Sequence, residues 1–204
     1  MSVQHRKLRV TVELLGYWLA GTAGGDAATV DISANRDEAG LPFLPGRSLK
    51  GLLRHAAADL AGLGHASDEG AVSRLFGHGD GAAGSDAVDL GRYGTIPGAL
   101  HVSSARLPEA WQRWATTAEG REAVGHLFGT LSSTALDRGG KARKATLRTV
   151  EVAVPMTLVA SIDGLLSDDD LVLLRRAAGL VRGVGRSRTR GLGRARITIE
   201  EGSS

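Results

Sequence analysis

No cysteine occurs among the 204 residues, which excludes disulfides and thiolate metal sites. Aromatic residues make up only 4% of the chain. RRM-type domains stack bases on sheet aromatics, and the strands read below carry no Phe, Tyr or Trp. No apolar run approaches the roughly 20 residues that span a bilayer. Met1 to Leu8 lacks the apolar stretch of a secretory leader. A cytoplasmic chain without membrane contact is the expectation. The six histidines (His5, His55, His65, His78, His101, His126) fall at no close ligand spacing. A Walker-type phosphate loop is missing, and Gly183-Val184-Gly185-Arg186-Ser187-Arg188 lacks the third glycine of a dinucleotide fingerprint. No nucleophile elbow supports serine catalysis.

What is present starts with a core: hydrophobic residues reach 42%, enough for one folded domain across 1–204. Net charge is only +3, but it is unevenly spread. Six carboxylates against one Arg lie between Asp59 and Asp89, five basic residues between Arg138 and Arg148, and six arginines between Arg182 and Arg196. Two acid-free basic clusters predict a localised polyanion surface.

Periodicity supplies the elements. Val10, Val12 and Leu14 alternate with polar residues, a strand with one buried face. A Gly-rich loop is expected over 16–40. Ser48 is placed to cap a helix with the stripe Leu49, Leu52, Leu53, Ala56 and Leu60. An irregular insertion is expected over about 64–98, with a helical turn near Val72 to Phe76. Leu100, Val102 and Ser104 suggest a short strand. Pro108 opens a helical stretch whose Trp111 and Trp114 are expected to pack on the core. Val150, Val152, Val154, Leu158 and Ala160 read as one long strand bent at Pro155. Ser167 before Asp168, Asp169 and Asp170 is a strong helix start, and Leu171, Leu174, Ala178 and Val181 form that helix's buried stripe. Ala195, Ile197 and Ile199 end the chain as a strand. The order is strand, helix, strand, strand, helix, strand, which predicts an α+β, ferredoxin-like (RRM-type) βαββαβ core with insertions.

Three segments point to an anionic partner. Pro45-Gly46-Arg47-Ser48-Leu49-Lys50-Gly51-Leu52-Leu53-Arg54 delivers Arg47, Lys50 and Arg54 near a helix N-terminus, where unpaired N–H groups favour anions. The loop over 183–194 interleaves Gly183, Gly185, Gly191 and Gly193 with Arg186, Arg188, Arg190 and Arg194, joining close backbone approach to forked phosphate grips. Around Leu136-Asp137-Arg138-Gly139-Gly140-Lys141-Ala142-Arg143-Lys144, a protruding hairpin is expected over about 131–150. RNA bound this way is held by its phosphates and shape, so binding is salt-dependent and largely independent of sequence.

In this order the segments resemble the RAMP (repeat-associated mysterious protein) superfamily. The 45–54 run is similar to the motif that starts its first helix, and the 183–193 stretch to its C-terminal Gly-rich loop. Leu75-Phe76-Gly77 resembles a short signature after that helix. The Leu136-Asp137-Arg138 hairpin resembles the thumb of the repeated backbone subunit in type III CRISPR effector complexes. The resemblance covers roughly residues 8 to 199.

The resemblance implies copies stacked head to tail along a guide RNA, beside other effector subunits in an antiviral complex. It implies guide contacts from Arg47, Ser48, Lys50 and Arg54, from Gly183, Gly185, Arg186, Ser187, Arg188 and Arg190, and from the thumb residues Arg138, Lys141, Arg143 and Lys144. The thumb would press between bases of the guide–target duplex. An Asp in the loop after the first strand would support endoribonuclease cleavage of target RNA with Mg²⁺ or Mn²⁺, recruited with the RNA. The loop offers Asp26, Asp31 and Asp37. Placed against Leu41 to Gly46, Asp31 falls at the family's catalytic and metal-binding position with one residue deleted. Asp37 matches a common non-catalytic Asp. Asp31-Ile32-Ser33 lacks the proline that often follows two residues on. Three alternatives stay open: a non-catalytic guide-binding subunit, a repeat-RNA processing endoribonuclease, and a generic RNA binder.

Overall fold

The computed structural model describes residues 2–19, 21–23, 32–65, 70–79, 95–135, 137–143 and 146–202. Asp26, Asp31 and Lys144, and most of the 64–98 insertion, lie outside the described residues. In chain order the elements are β1 (Gln4–Leu14), β2 (Gly21–Ala23), β3 (Ile32–Ala34), α1 (Gly46–Gly62), α2 (Ala71–Phe76), β4 (Gly77–Gly79), β5 (Thr95–Pro97), β6 (Leu100–Val102), α3 (Glu109–Ala115), α4 (Ala118–Ala123), β7 (Phe128–Ser133), β8 (Arg148–Ala153), β9 (Thr157–Leu166), α5 (Asp168–Leu180) and β10 (Ala195–Glu201).

The alternation in β1 buries Leu8, Val10, Val12 and Leu14 on one face. This strand sits inside an antiparallel sheet of order β10-β1-β9-β6. Val10 lies between Ile199 and Ala160, and Val12 between Ile197 and Leu158. The apolar residues of three strands therefore share one face, and α1 and α5, packed on each other, contribute Leu49, Leu53, Leu171 and Leu174 to the same core. Burying each such side chain stabilises by about 1.5–3 kcal/mol.

Helix α1 starts earlier than the Ser48 cap predicts. Pro45 is the N-cap, with no side-chain cap bond, and Ser48 lies within the first turn. Packing sets this start: a Cβ at Gly46 would lie 2.3 Å from the Val102 carbonyl oxygen, so the helix begins where its backbone meets β6. The start of α5 matches expectation. Ser167 and Asp170 form a reciprocal capping box, and Asp170 is fully buried. Arg74 of α2 donates to both Asp170 carboxylate oxygens, at 2.7 and 3.1 Å.

Two expectations are corrected in the middle of the chain. The 16–40 stretch carries β2 and β3, which join a second sheet of order β2-β3-β8-β7. The long strand bent at Pro155 is two strands in two sheets: β8 pairs with β7, and β9 with β1 and β6. Pro155 has no N–H to continue a ladder, and the chain changes sheets there. Trp18 marks the junction, exchanging backbone hydrogen bonds with Ala153 and donating its indole N–H to the Val154 carbonyl at 3.1 Å. Helix α3 is peripheral, since only Ala115 of it is buried. Trp114 packs on the core, but Trp111 is 44% exposed, contrary to expectation. Among the described residues no helix is long and apolar enough to cross a membrane.

Candidate nucleic-acid interface

The Gly/Arg loop is anchored by its backbone and presents its side chains outward. Val184 is fully buried, and its N–H donates to the Gly193 carbonyl at 2.8 Å. The Gly193 N–H donates to Tyr17 and the Arg186 N–H to Leu19, tying the loop to the segment after β1. Gly193 adopts φ +70, and a Cβ there would lie 2.0 Å from the Val184 oxygen, so the crossing requires glycine. Ser187 is left-handed at φ 57. Arg186, Arg188 and Arg190 are exposed.

Arg186 and Arg188 face the first turns of α1 across a cleft of about 310 Å³, lined also by Asn35, Arg47, Ser48 and Gly185. A larger cleft of about 770 Å³ adjoins it, sharing Leu52, His55 and Arg188. Gly183, Arg182 and Arg194 line the larger one, and Asp59 is its one acidic residue among the described residues. Two predicted segments, 45–54 and 183–194, thus meet in one groove. Asn35, His55 and Arg182 were not among the residues expected to bind; Arg194 was, as part of the 183–194 loop. His55 was legible, seven residues after Ser48 on the same helical side; Asn35 carried no signal.

Five arginines outside the smaller cleft are neutralised by carboxylates, one of them, Arg196, on the wall of the larger cleft. Arg6, Arg36, Arg74, Arg106 and Arg196 each hold a carboxylate. Arg47, Arg186, Arg188 and Arg190 make no ion pair with any described residue. Their charge is uncompensated, as a phosphate-binding surface requires.

Lys50 and Arg54 do not join this groove. They lie on another side of α1, and the Lys50 ammonium donates to the Leu100 carbonyl at 2.8 Å. The expected hairpin is present as β7–β8. Its tip turns on Asp137, whose carboxylate accepts from the Gly139 and Lys141 N–H groups at 2.8 and 2.9 Å. Arg138, Lys141 and Arg143 are exposed there and line neither groove cleft.

A sequence model of the RAMP superfamily matches residues 11–196. The chain belongs to the RAMP superfamily. No curated protein sequence matches it. Its fold is similar to a chain of a type III-B Cmr-β complex determined by cryo-EM in the apo state. The TM-score is 0.67 at 11% identity, covering 95% of this chain and 97% of that one. A chain of the type III-B Cmr-β complex bound to cognate target RNA gives the same TM-score of 0.67 at 10% identity, covering 95% and 96%.

In this RAMP chain Asp37 is a structural residue. Its buried carboxylate accepts from the N–H groups of Ala39 and Leu41 and from the side chains of Arg106 and Gln112, between 2.9 and 3.2 Å. No group of three or more His, Asp or Glu able to hold a metal occurs among the described residues. The residue after Asp31, Ile32, pairs in parallel with Val150 at the base of the hairpin. Glu151 reinforces that junction, accepting from the Ala34 N–H at 3.1 Å and from Arg36 at 2.6 Å. The Arg36 guanidinium lies 3.4 Å above the Phe128 ring.

Proposed function

We propose that this RAMP chain is a guide-RNA-binding backbone subunit of a type III CRISPR effector complex, stacked with copies of itself or related subunits along the guide and working beside other effector proteins. The observation that carries the reading is the groove between α1 and the Gly/Arg loop, whose arginines lack carboxylate partners among the described residues. Glycine-permitted backbone approach and forked guanidinium donors suit a single-stranded phosphate backbone. We read the order β10-β1-β9-β6, with α1 and α5 as connections, as the ferredoxin-like core of the family.

The finer reading is cleavage of complementary target RNA. The β7–β8 hairpin would press between bases and bend the target strand, bringing a 2′-OH into line with the adjacent phosphate; orientation of this kind lowers a barrier substantially. Arg138 at the hairpin tip would stabilise developing negative charge. Asp31 would act beside the hairpin root. Mg²⁺ or Mn²⁺, recruited by RNA phosphates, would supply charge neutralisation when bound. A subunit that binds guide without cutting is the second reading, since the groove between α1 and the Gly/Arg loop suffices for it without Asp31.

The test is target-RNA cleavage by the reconstituted guide complex with Mg²⁺, wild type beside Asp31→Ala. Regularly spaced cuts that vanish in the variant support the cleavage reading. Cuts that persist in the variant remove Asp31 from it. Tight target binding without cuts in either protein leaves a scaffold.

A further inference from the structure

The larger cleft of the groove holds one residue that phosphate binding does not explain. Asp59 lines it together with Arg182, Arg188 and Arg194. A carboxylate beside a phosphate path repels the strand, so a groove that gripped phosphates alone would be stronger without it.

Helical spacing puts Asp59 in this place. It lies four residues after His55 on the same side of α1, and His55 lines both clefts. The position does nothing for the helix. Asp59 falls in the last turn of α1, where the negative end of the dipole disfavours acids, and no basic residue stands in that turn to offset it. The carboxylate belongs to an exposed residue and makes no ion pair or hydrogen bond with any described residue, although arginines share the cleft. Neither helix stability nor a structural ion pair accounts for it.

The rest of the cleft fits one unit of a nucleic-acid strand better than a bare anion. Its volume is about 770 Å³, and Leu15, Leu52, Leu180 and Val181 form an apolar part of its wall. Leu15 and Leu180 are 42% and 46% exposed, so this apolar surface is open to a ligand. Clefts of this size take a small organic group. The apolar side chains suit the carbon face of a sugar and base, and the arginines suit the phosphates on either side. Guanidinium groups carry donors only. Asp59 supplies the charged acceptor that the arginines cannot. Among the donors of an RNA strand, only the 2′-hydroxyl is present on every nucleotide, as binding independent of sequence requires.

We infer that Asp59 reads the ribose: its carboxylate accepts a hydrogen bond from a 2′-hydroxyl of the strand in the groove, and the chain thereby selects RNA over DNA. On DNA the same carboxylate finds no sugar donor and meets only phosphate repulsion. This rests on the proposed function in taking the groove as the seat of the strand.

The test is fluorescence-anisotropy titration of the full chain with short labelled single strands of one sequence: RNA, 2′-fluoro RNA and DNA. The 2′-fluoro strand keeps an RNA-like sugar but cannot donate. Wild type should bind RNA about tenfold or more tighter than the 2′-fluoro strand, the effect of one hydrogen bond to a charged group. In Asp59→Ala that ratio should fall close to one, with DNA bound at least as tightly as by wild type. Asp59→Asn, which keeps an acceptor oxygen without the charge, should fall between the two. The helical circular dichroism should persist in both variants, since Asp59 is exposed. An Asp59→Ala chain that keeps the wild-type ratio would overturn the inference and leave the groove standing. Equal losses for all three strands in that variant would also overturn it, by making Asp59 a residue of the fold. A wild-type chain that binds no strand would remove the proposed function itself.

Discussion

Glu151 holds Arg36 at 2.6 Å, and this pair fastens the root of the basic hairpin to strand β3. The same carboxylate accepts the Ala34 N–H, and Arg36 covers Phe128. Glu151→Ala should cost about 1–2 kcal/mol of stability. Amide hydrogen exchange at Ala34 should accelerate more than exchange in β1. Unchanged exchange at Ala34 would show that the tie contributes nothing to the second sheet.

Gly193 permits the Gly/Arg loop to fold back on Val184. Ala at this position would have to hold φ +70 with its Cβ 2.0 Å from a backbone oxygen. Gly193→Ala should lose about 2 kcal/mol or more and weaken RNA binding, while the helical circular dichroism persists. Wild-type affinity in this variant would mean that the loop conformation does not position the arginines.

Asp170 links α2 to α5. Burial raises its pKa and is the largest single influence, but hydrogen bonds from Arg74 and from the Ser167 backbone and hydroxyl together bring it below the ordinary value. The folded carboxyl thus binds its proton less readily than the unfolded one. The stabilisation is fully present above the unfolded value of about 3.9 and is lost as pH falls through the folded value. Asp170→Asn should cost roughly 2–3 kcal/mol near neutral pH and make the acid limb of the stability curve shallower. Parallel acid limbs in the two proteins would contradict the assignment.

Local signals were the legible ones. The Ser167-to-Asp170 start of α5 and the alternation in β1 and β10 are short-range patterns, and each maps onto its element. Strands β2 and β3 are three residues each, too short for a local period to announce; β2 pairs with β3, and β3 is held by Val150 of β8, more than 100 positions away. Alternation continues from Val150 to Ala160 through a change of sheet, because both strands need one buried face; only Pro155 hints at the break. Gly46 starts α1 through contact with β6, which overrides the preference of Ser48 for a cap. At the candidate site, charge and glycine marked 45–54 and 183–194 separately as anion-binding segments; their meeting in one groove comes from the tertiary fold. Lys50 and Arg54 share the i, i+3, i+7 stripe of Arg47, so spacing alone does not separate them; the groove opens on the neighbouring Ser48–His55 side, which Arg47 also lines.

The central claim is that the Gly/Arg groove grips a guide backbone and that copies assemble along it. Sedimentation of the full chain with and without guide RNA, over a salt series, tests it most directly, wild type beside Arg186→Ala/Arg188→Ala/Arg190→Ala. The account predicts assemblies that grow with RNA length for any sequence. In the triple variant it predicts weaker binding to all sequences alike and a salt slope lower by roughly 0.7 per lost phosphate contact. A wild-type chain that stays monomeric on RNA, or a triple variant that loses affinity for some sequences only, would contradict it.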